Sequence, residues 1–108
     1  MKVSYRQAAD DDVIRQFRYY LVTLNLPEIA VRFRDSVRRT IEALCRRPRI
    51  GPHCGSANPE LQSLRSWPVA GFEAIRIYYL VDQDTLRVIR VLHGKRDIQR
   101  ILENEDVL

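Results

Sequence analysis

The sequence predicts an α+β fold: an N-terminal strand, an αα-hairpin, an antiparallel β-meander and a short C-terminal helix. Three observations carry this expectation. Apolar residues recur at threes and fours through the first half of the chain, a proline- and glycine-rich segment interrupts it near the middle, and alternating β-branched runs follow. At 108 residues the chain fits one domain, residues 1–108, with a single modest core.

Residues 2–6 read as a short strand. The triplet Asp10-Asp11-Asp12 then places negative charge where a helix N-terminus is electropositive. Val13, Ile14, Phe17, Tyr20, Leu21 and Leu24 give this first helix one apolar face, with Arg15, Gln16 and Arg18 left to solvent. It ends near Asn25. Pro27 suits the first position of a second helix, because its missing N–H would have no partner there, and Glu28 favours the first turn. Ala30, Phe33, Val37, Ile41 and Leu44 form the clearest 3.6-residue stripe, while Asp35/Arg39 and Arg38/Glu42 are i,i+4 opposite-charge pairs on the outer side. The short connection makes the two helices antiparallel neighbours. Arg46 and Arg47 complement the carbonyl end of the second helix.

Pro48 to Pro59 contains three prolines besides two glycines within it, so it is a loop. Leu64–Val69, Phe72–Val81 and Leu86–His93 read as three strands of a meander. Ile75, Ile77, Tyr79 and Val81 share one face of the middle strand, and Ile89, Val91 and His93 one face of the last. Pairing those faces requires an odd-length connection or a bulge around residues 82–86. On that register Arg76 and Arg90 are neighbours on the opposite face, where two like charges call either for a compensating anion or for solvent. Ile98, Ile101 and Leu102 then outline the C-terminal helix, and Glu103, Glu105 and Asp106 make the end acidic.

A net charge of +4 favours acidic partners, whether nucleic acid, an acidic protein segment or an anionic surface. Between Arg32 and Arg65 there are eight arginines against Asp35, Glu42 and Glu60. No apolar run is long enough for a membrane span, and the N-terminus lacks a signal-peptide core, so a cytoplasmic location without membrane association is expected. Cys45 and Cys54 read as free thiols; with His53 and His93 they make four possible zinc ligands, but without the usual ligand spacings, and no metal or cofactor is expected.

The chain carries none of the signature motifs of serine hydrolases, P-loop enzymes, zinc proteases or dinucleotide-binding proteins. RNA cleavage through the 2′-hydroxyl needs only a base, an acid and cations, which Arg76, Tyr78, Arg90 and His93 would supply. Strand parity separates His93 from the other three, which favours a structural role for the imidazole.

Several motifs in order span almost the whole chain. They are Ile14-x-x-Phe17-x-x-Tyr20-Leu21, Pro27-Glu28-x-Ala30-x-Arg32-Phe33, Leu44-x-x-x-Pro48-x-x-Gly51, Leu64-Arg65-Ser66-Trp67-Pro68-Val69, Ile75-x-Ile77-x-Tyr79, and Arg90-Val91-Leu92-His93-Gly94-x-Arg96-Asp97. With these the sequence resembles the ParE branch of the RelE/ParE superfamily of toxins from type II toxin–antitoxin systems. Val13 departs from the family, which often has an acidic residue there. The resemblance implies that the hairpin packs on a small antiparallel sheet with the N-terminal strand beside the meander. His93, Gly94, Arg96 and Asp97 form its family-marking corner.

The same resemblance implies a growth-inhibiting, plasmid-stabilising toxin that poisons DNA gyrase and is neutralised by a cognate antitoxin through an acidic, amphipathic C-terminal segment. Arg15, Tyr19, Arg34, Arg38, Arg76, Tyr78 and Arg90 are the antitoxin contacts expected on that basis. Two alternatives stay open: a RelE-like ribosome-dependent mRNA endoribonuclease and a stand-alone basic nucleic-acid-binding domain. The first would be an enzyme, whereas a gyrase inhibitor needs no chemistry of its own.

Overall fold

The computed structural model describes residues 1–54, 59, 62–94, 98 and 101. Strand β1 (Lys2–Tyr5) leads into helix α1 (Gln7–Arg18), which widens into a single π turn at Tyr19–Thr23. Helix α2 (Pro27–Arg46) and the strands β2 (Arg65–Val69), β3 (Phe72–Asp82) and β4 (Thr85–His93) follow. The expected α+β class and element order hold. The C-terminal helix falls mostly outside the described residues, as do Arg96 and Asp97 of the corner.

The four strands lie in the order β1-β4-β3-β2. The meander is antiparallel, and β1 joins β4 in parallel, so the sheet is mixed. α2 forms where its stripe requires: Ala30, Phe33, Val37, Ile41 and Leu44 are all buried. Pro27 occupies its first position. The helix-side core continues through Val69, Ile75, Ile77, Tyr79, Leu86, Val88 and Val91. A second cluster of Leu64, Tyr78, Leu80, Ile89 and Ile98 covers the other face of the sheet. Both faces are therefore apolar at the centre, which explains why β3 and β4 read as near-continuous hydrophobic runs.

Three local expectations are corrected. First, α1 starts at Gln7, so of the acidic triplet Asp10 alone lies in the first turn, and Asp12 turns inward. The buried side of α1 runs through Ala9 and Asp12, whereas Ile14, Leu21 and Leu24 remain exposed. Second, Arg38 bonds to Asp35 at i,i+3, and Arg34 lies 3.7 Å from the same carboxylate. The expected i,i+4 partners are not the ones observed.

The third correction concerns strand parity. The β3–β4 connection is even, with Asp82 opposite Thr85 and Gln83 at φ 54° in the two-residue turn. The bulge lies farther along: Tyr79 pairs with Val88 and Tyr78 with Arg90, leaving Ile89 as the extra residue. This flips the pattern, so Val88 and Val91 both face the helices while Ile89 faces away. Arg76 pairs with Leu92 rather than standing beside Arg90.

Candidate functional site: an apolar groove and two anchored corners

The inward turn of Asp12 determines where Arg90 goes. Asp12 is fully buried, and its carboxylate accepts from Arg90 Nε at 2.7 Å and Arg90 Nη2 at 2.8 Å. It also accepts from the Val91 backbone N–H at 2.9 Å and from Arg15 Nη1 at 3.2 Å. A buried carboxylate is tolerated only when its lone pairs are filled in this way. Gln16 reinforces the junction by donating from Nε2 to the backbone carbonyls of Asp12 and Val91. Arg90 therefore staples α1 to β4, and the compensating anion expected near it belongs to the protein itself.

The remaining candidates for chemistry are similarly dispersed. Tyr78 is buried, and its hydroxyl donates to the Gly94 carbonyl at 3.2 Å. Burial pushes the phenol above its ordinary value, aided by nearby Cys54 and opposed by Arg76. Arg76 donates to Ser66 Oγ from both Nε and Nη2, at 3.1 and 2.9 Å. His93 is exposed on the helix side, opposite Ile75, where a cleft of about 310 Å³ is lined by Arg15, Gln16, Tyr19, Tyr20, Ile75 and His93. Arg76, Tyr78, Arg90 and His93 are thus not brought to one point. Such an arrangement offers anchoring rather than general acid–base catalysis. Among the described residues, no three His, Cys, Asp or Glu side chains group as metal ligands.

The expected antitoxin contacts divide by exposure. Arg15, Tyr19, Arg34 and Arg38 project from the helices, whereas Tyr78 and Arg90 are buried. The trio Arg76, Tyr78 and Arg90 is therefore not an open sheet face. Between the helices lies a feature that the periodicity hid by assigning it to the core. A cleft of about 330 Å³ is lined by Val13, Ile14, Phe17, Arg18, Leu21 and Arg34. Ile14 within it is 49% exposed, and Val22, in the π turn that follows α1, is 71% exposed. Arg34 rests over the Phe17 ring, with Cζ 5.5 Å from its centroid, which fixes a cation at the rim.

The π turn below the groove carries Tyr20 into an aromatic cluster. Its ring lies 5.5 Å from Phe33 and 5.8 Å from Phe72. This anchors the helical end while Leu21 and Val22 stay outside. The signal that could have separated the two sides of α1 is the inward series Ala9, Asp12, Gln16 and Tyr20, which repeats at threes and fours as regularly as the apolar one.

The second anchored corner follows α2. Tyr79 is buried; its hydroxyl donates to the Pro48 carbonyl at 2.8 Å and accepts from Gly51 N–H at 3.1 Å. Burial raises its pKa, opposed by that Gly51 N–H and by Arg65. A side chain at Gly51 would place Cβ only 2.6 Å from Tyr79 Oη and 2.7 Å from the Ser66 carbonyl oxygen. Arg65 Nη1 closes the corner by donating to the carbonyls of Arg49 and Gly51 at 3.0 and 2.7 Å. Thus the Pro48-x-x-Gly51 spacing and the distant Tyr79 form one unit.

No curated protein matches the chain. Among solved structures, a chain from one described as the chromosomal ParDE TA system from P. aeruginosa matches with a TM-score of 0.65 and 17% identity, covering 87% of this chain and 96% of that one. That likeness establishes the fold. Residues 3–98 match the family described as the ParE toxin of the type II toxin-antitoxin system parDE. With nearly the whole chain covered, the protein belongs to the ParE family of toxins of type II toxin–antitoxin systems.

Proposed function

We propose that this toxin is neutralised by a cognate antitoxin that lays an amphipathic helix into the Ile14/Phe17/Leu21 groove, and that it arrests growth by poisoning DNA gyrase in the cytoplasm. The observation that carries the antitoxin reading is the exposed apolar cleft rimmed by Arg18 and Arg34. An acidic helix with apolar residues at i, i+3 and i+4 satisfies both its floor and its rim. Arg15, Tyr19 and Arg38 extend the same docking surface, and Arg76 is a peripheral contact. The buried Tyr78 and Arg90 take no direct part in it. The gyrase reading is supported by family membership together with the dispersal of Arg76, Tyr78, Arg90 and His93, which leaves the ribonuclease alternative without an assembled centre.

Toxicity with and without the antitoxin tests the docking surface. Induction of the wild-type chain arrests growth, and co-expression of the small acidic-tailed protein from the neighbouring reading frame restores it. Ile14→Glu/Leu21→Glu keeps the arrest and loses the rescue, because charge is introduced on exposed sites of the groove. Hot-spot disruption of this kind weakens binding by about 2 kcal/mol or more, a loss of roughly thirtyfold. Undiminished rescue of that variant would show that the antitoxin docks elsewhere.

A further inference from the structure

The corner between α2 and β2 carries a cluster of cations, of which Arg46 lies in the last turn of α2 and complements its carbonyl end. Arg46, Arg47 and Arg49 are exposed, and among the described residues no carboxylate lies within ion-pair distance of them. No acidic residue occurs in the sequence between Glu42 and Glu60. Like charges crowded on three of four successive residues repel one another. A mobile loop would relieve that by spreading, but this one is held by Tyr79, Gly51 and the two bonds from Arg65. The result is a fixed platform. Arg47 and Arg49 flank a cleft of about 370 Å³ whose other lining residues, among the described residues, are Pro48 and Ile50.

We infer that this Arg46/Arg47/Arg49 platform binds the phosphate backbone of duplex DNA. Guanidinium forks match phosphate oxygens, and a short apolar floor between them accepts the sugar face between successive phosphates. An acidic peptide suits the site less well. The neighbouring strand edge that would receive its backbone is already occupied, since Ser66 N–H donates to the Pro52 carbonyl, Cys54 N–H donates to the Leu64 carbonyl, and His53 bridges to Arg65. Recognition by charge alone needs no such edge. Arg34, at the rim of the apolar groove, lies thirteen residues before Arg47, about 20 Å along the helix axis. The two surfaces are therefore separate, and a toxin holding antitoxin in one leaves the other open. This inference goes beyond the gyrase reading and does not depend on it, because DNA affinity is measured on the purified chain without gyrase.

The test is fluorescence anisotropy of a short labelled DNA duplex titrated with the full-length chain over a range of salt concentrations. Binding is expected at low salt, with log K falling linearly against log salt. Arg47→Ala/Arg49→Ala binds more weakly, and its slope is shallower by about two, one phosphate contact being lost per arginine. Arg32→Ala/Arg39→Ala removes the same charge from the exposed side of α2 and leaves affinity and slope near wild type. Arg47→Lys/Arg49→Lys keeps the slope, since the charge is retained. All these positions are exposed, and circular dichroism confirms that each variant is folded. Absence of duplex binding at low salt, or equal weakening by both alanine pairs, would overturn the proposal. So would displacement of the duplex by polyglutamate as readily as by unlabelled DNA of equal charge, which would assign the platform to an acidic protein.

Discussion

Arg90 and Asp12, 78 residues apart in the sequence, form a doubly hydrogen-bonded ion pair with both side chains buried. The pair joins α1 to β4 beside its bulge at Ile89. Removing one partner strands the other's charge away from water. Asp12→Ala is therefore expected to destabilise the chain by about 3–5 kcal/mol. Urea denaturation followed by circular dichroism measures it, and a loss below about 1 kcal/mol would mean that water reaches the stranded guanidinium.

Gly51 is constrained by space rather than by backbone conformation. Its missing Cβ leaves room for Tyr79 Oη and the Ser66 carbonyl. Gly51→Ala forces the loop away from β3 and should cost about 1–3 kcal/mol. Tyr79→Phe, which removes the hydroxyl shared by Pro48 and Gly51, should cost a similar amount by leaving Gly51 N–H without its partner. Because both changes break one unit, the double variant should be less destabilised than the sum of the two single ones, as a denaturation-based mutant cycle will show.

The buried phenols give stability a definite dependence on alkaline pH. Tyr78 and Tyr79 are both held above the ordinary value of 10.0, principally by desolvation. With the folded pKa raised, the folded state retains a proton that the unfolded chain releases first. Their contribution is fully present below 10.0 and is lost as pH rises from there through the folded values. Denaturant midpoints measured across that range should fall, and Tyr78→Phe should flatten the fall. A midpoint as high above pH 10.0 as below it would contradict this account.

Much of this fold is visible in the sequence where periodicity and burial coincide. The α2 stripe from Ala30 to Leu44 is inward in the structure as its spacing demands, and Pro27 marks its start. α1 is less transparent because it has two regular faces. The more hydrophobic one, Ile14, Phe17 and Leu21, borders the exposed groove, while the inward one contains a carboxylate. Hydrophobicity ranks those faces in the wrong order when a charged side chain is buried with its partner, and that partner is Arg90, far along the chain. β4 is misread for a related reason. One extra residue at Ile89 inverts every side chain beyond it, and the apolar composition of both sheet faces hides the slip. Strand parity sets His93 apart from Arg76, Tyr78 and Arg90, and the observed register keeps that separation, with Ile75 opposite His93 and Tyr78 opposite Arg90. The candidate catalytic set dissolves further once Arg90 is bound to Asp12.

The most direct test of the proposed toxic activity is a DNA gyrase supercoiling assay with the purified chain, run beside primer extension on transcripts from induced cells. The account predicts that supercoiling is inhibited while transcripts remain intact, and that added antitoxin restores supercoiling. Cleavage of messages within codons, with supercoiling unaffected, would contradict it.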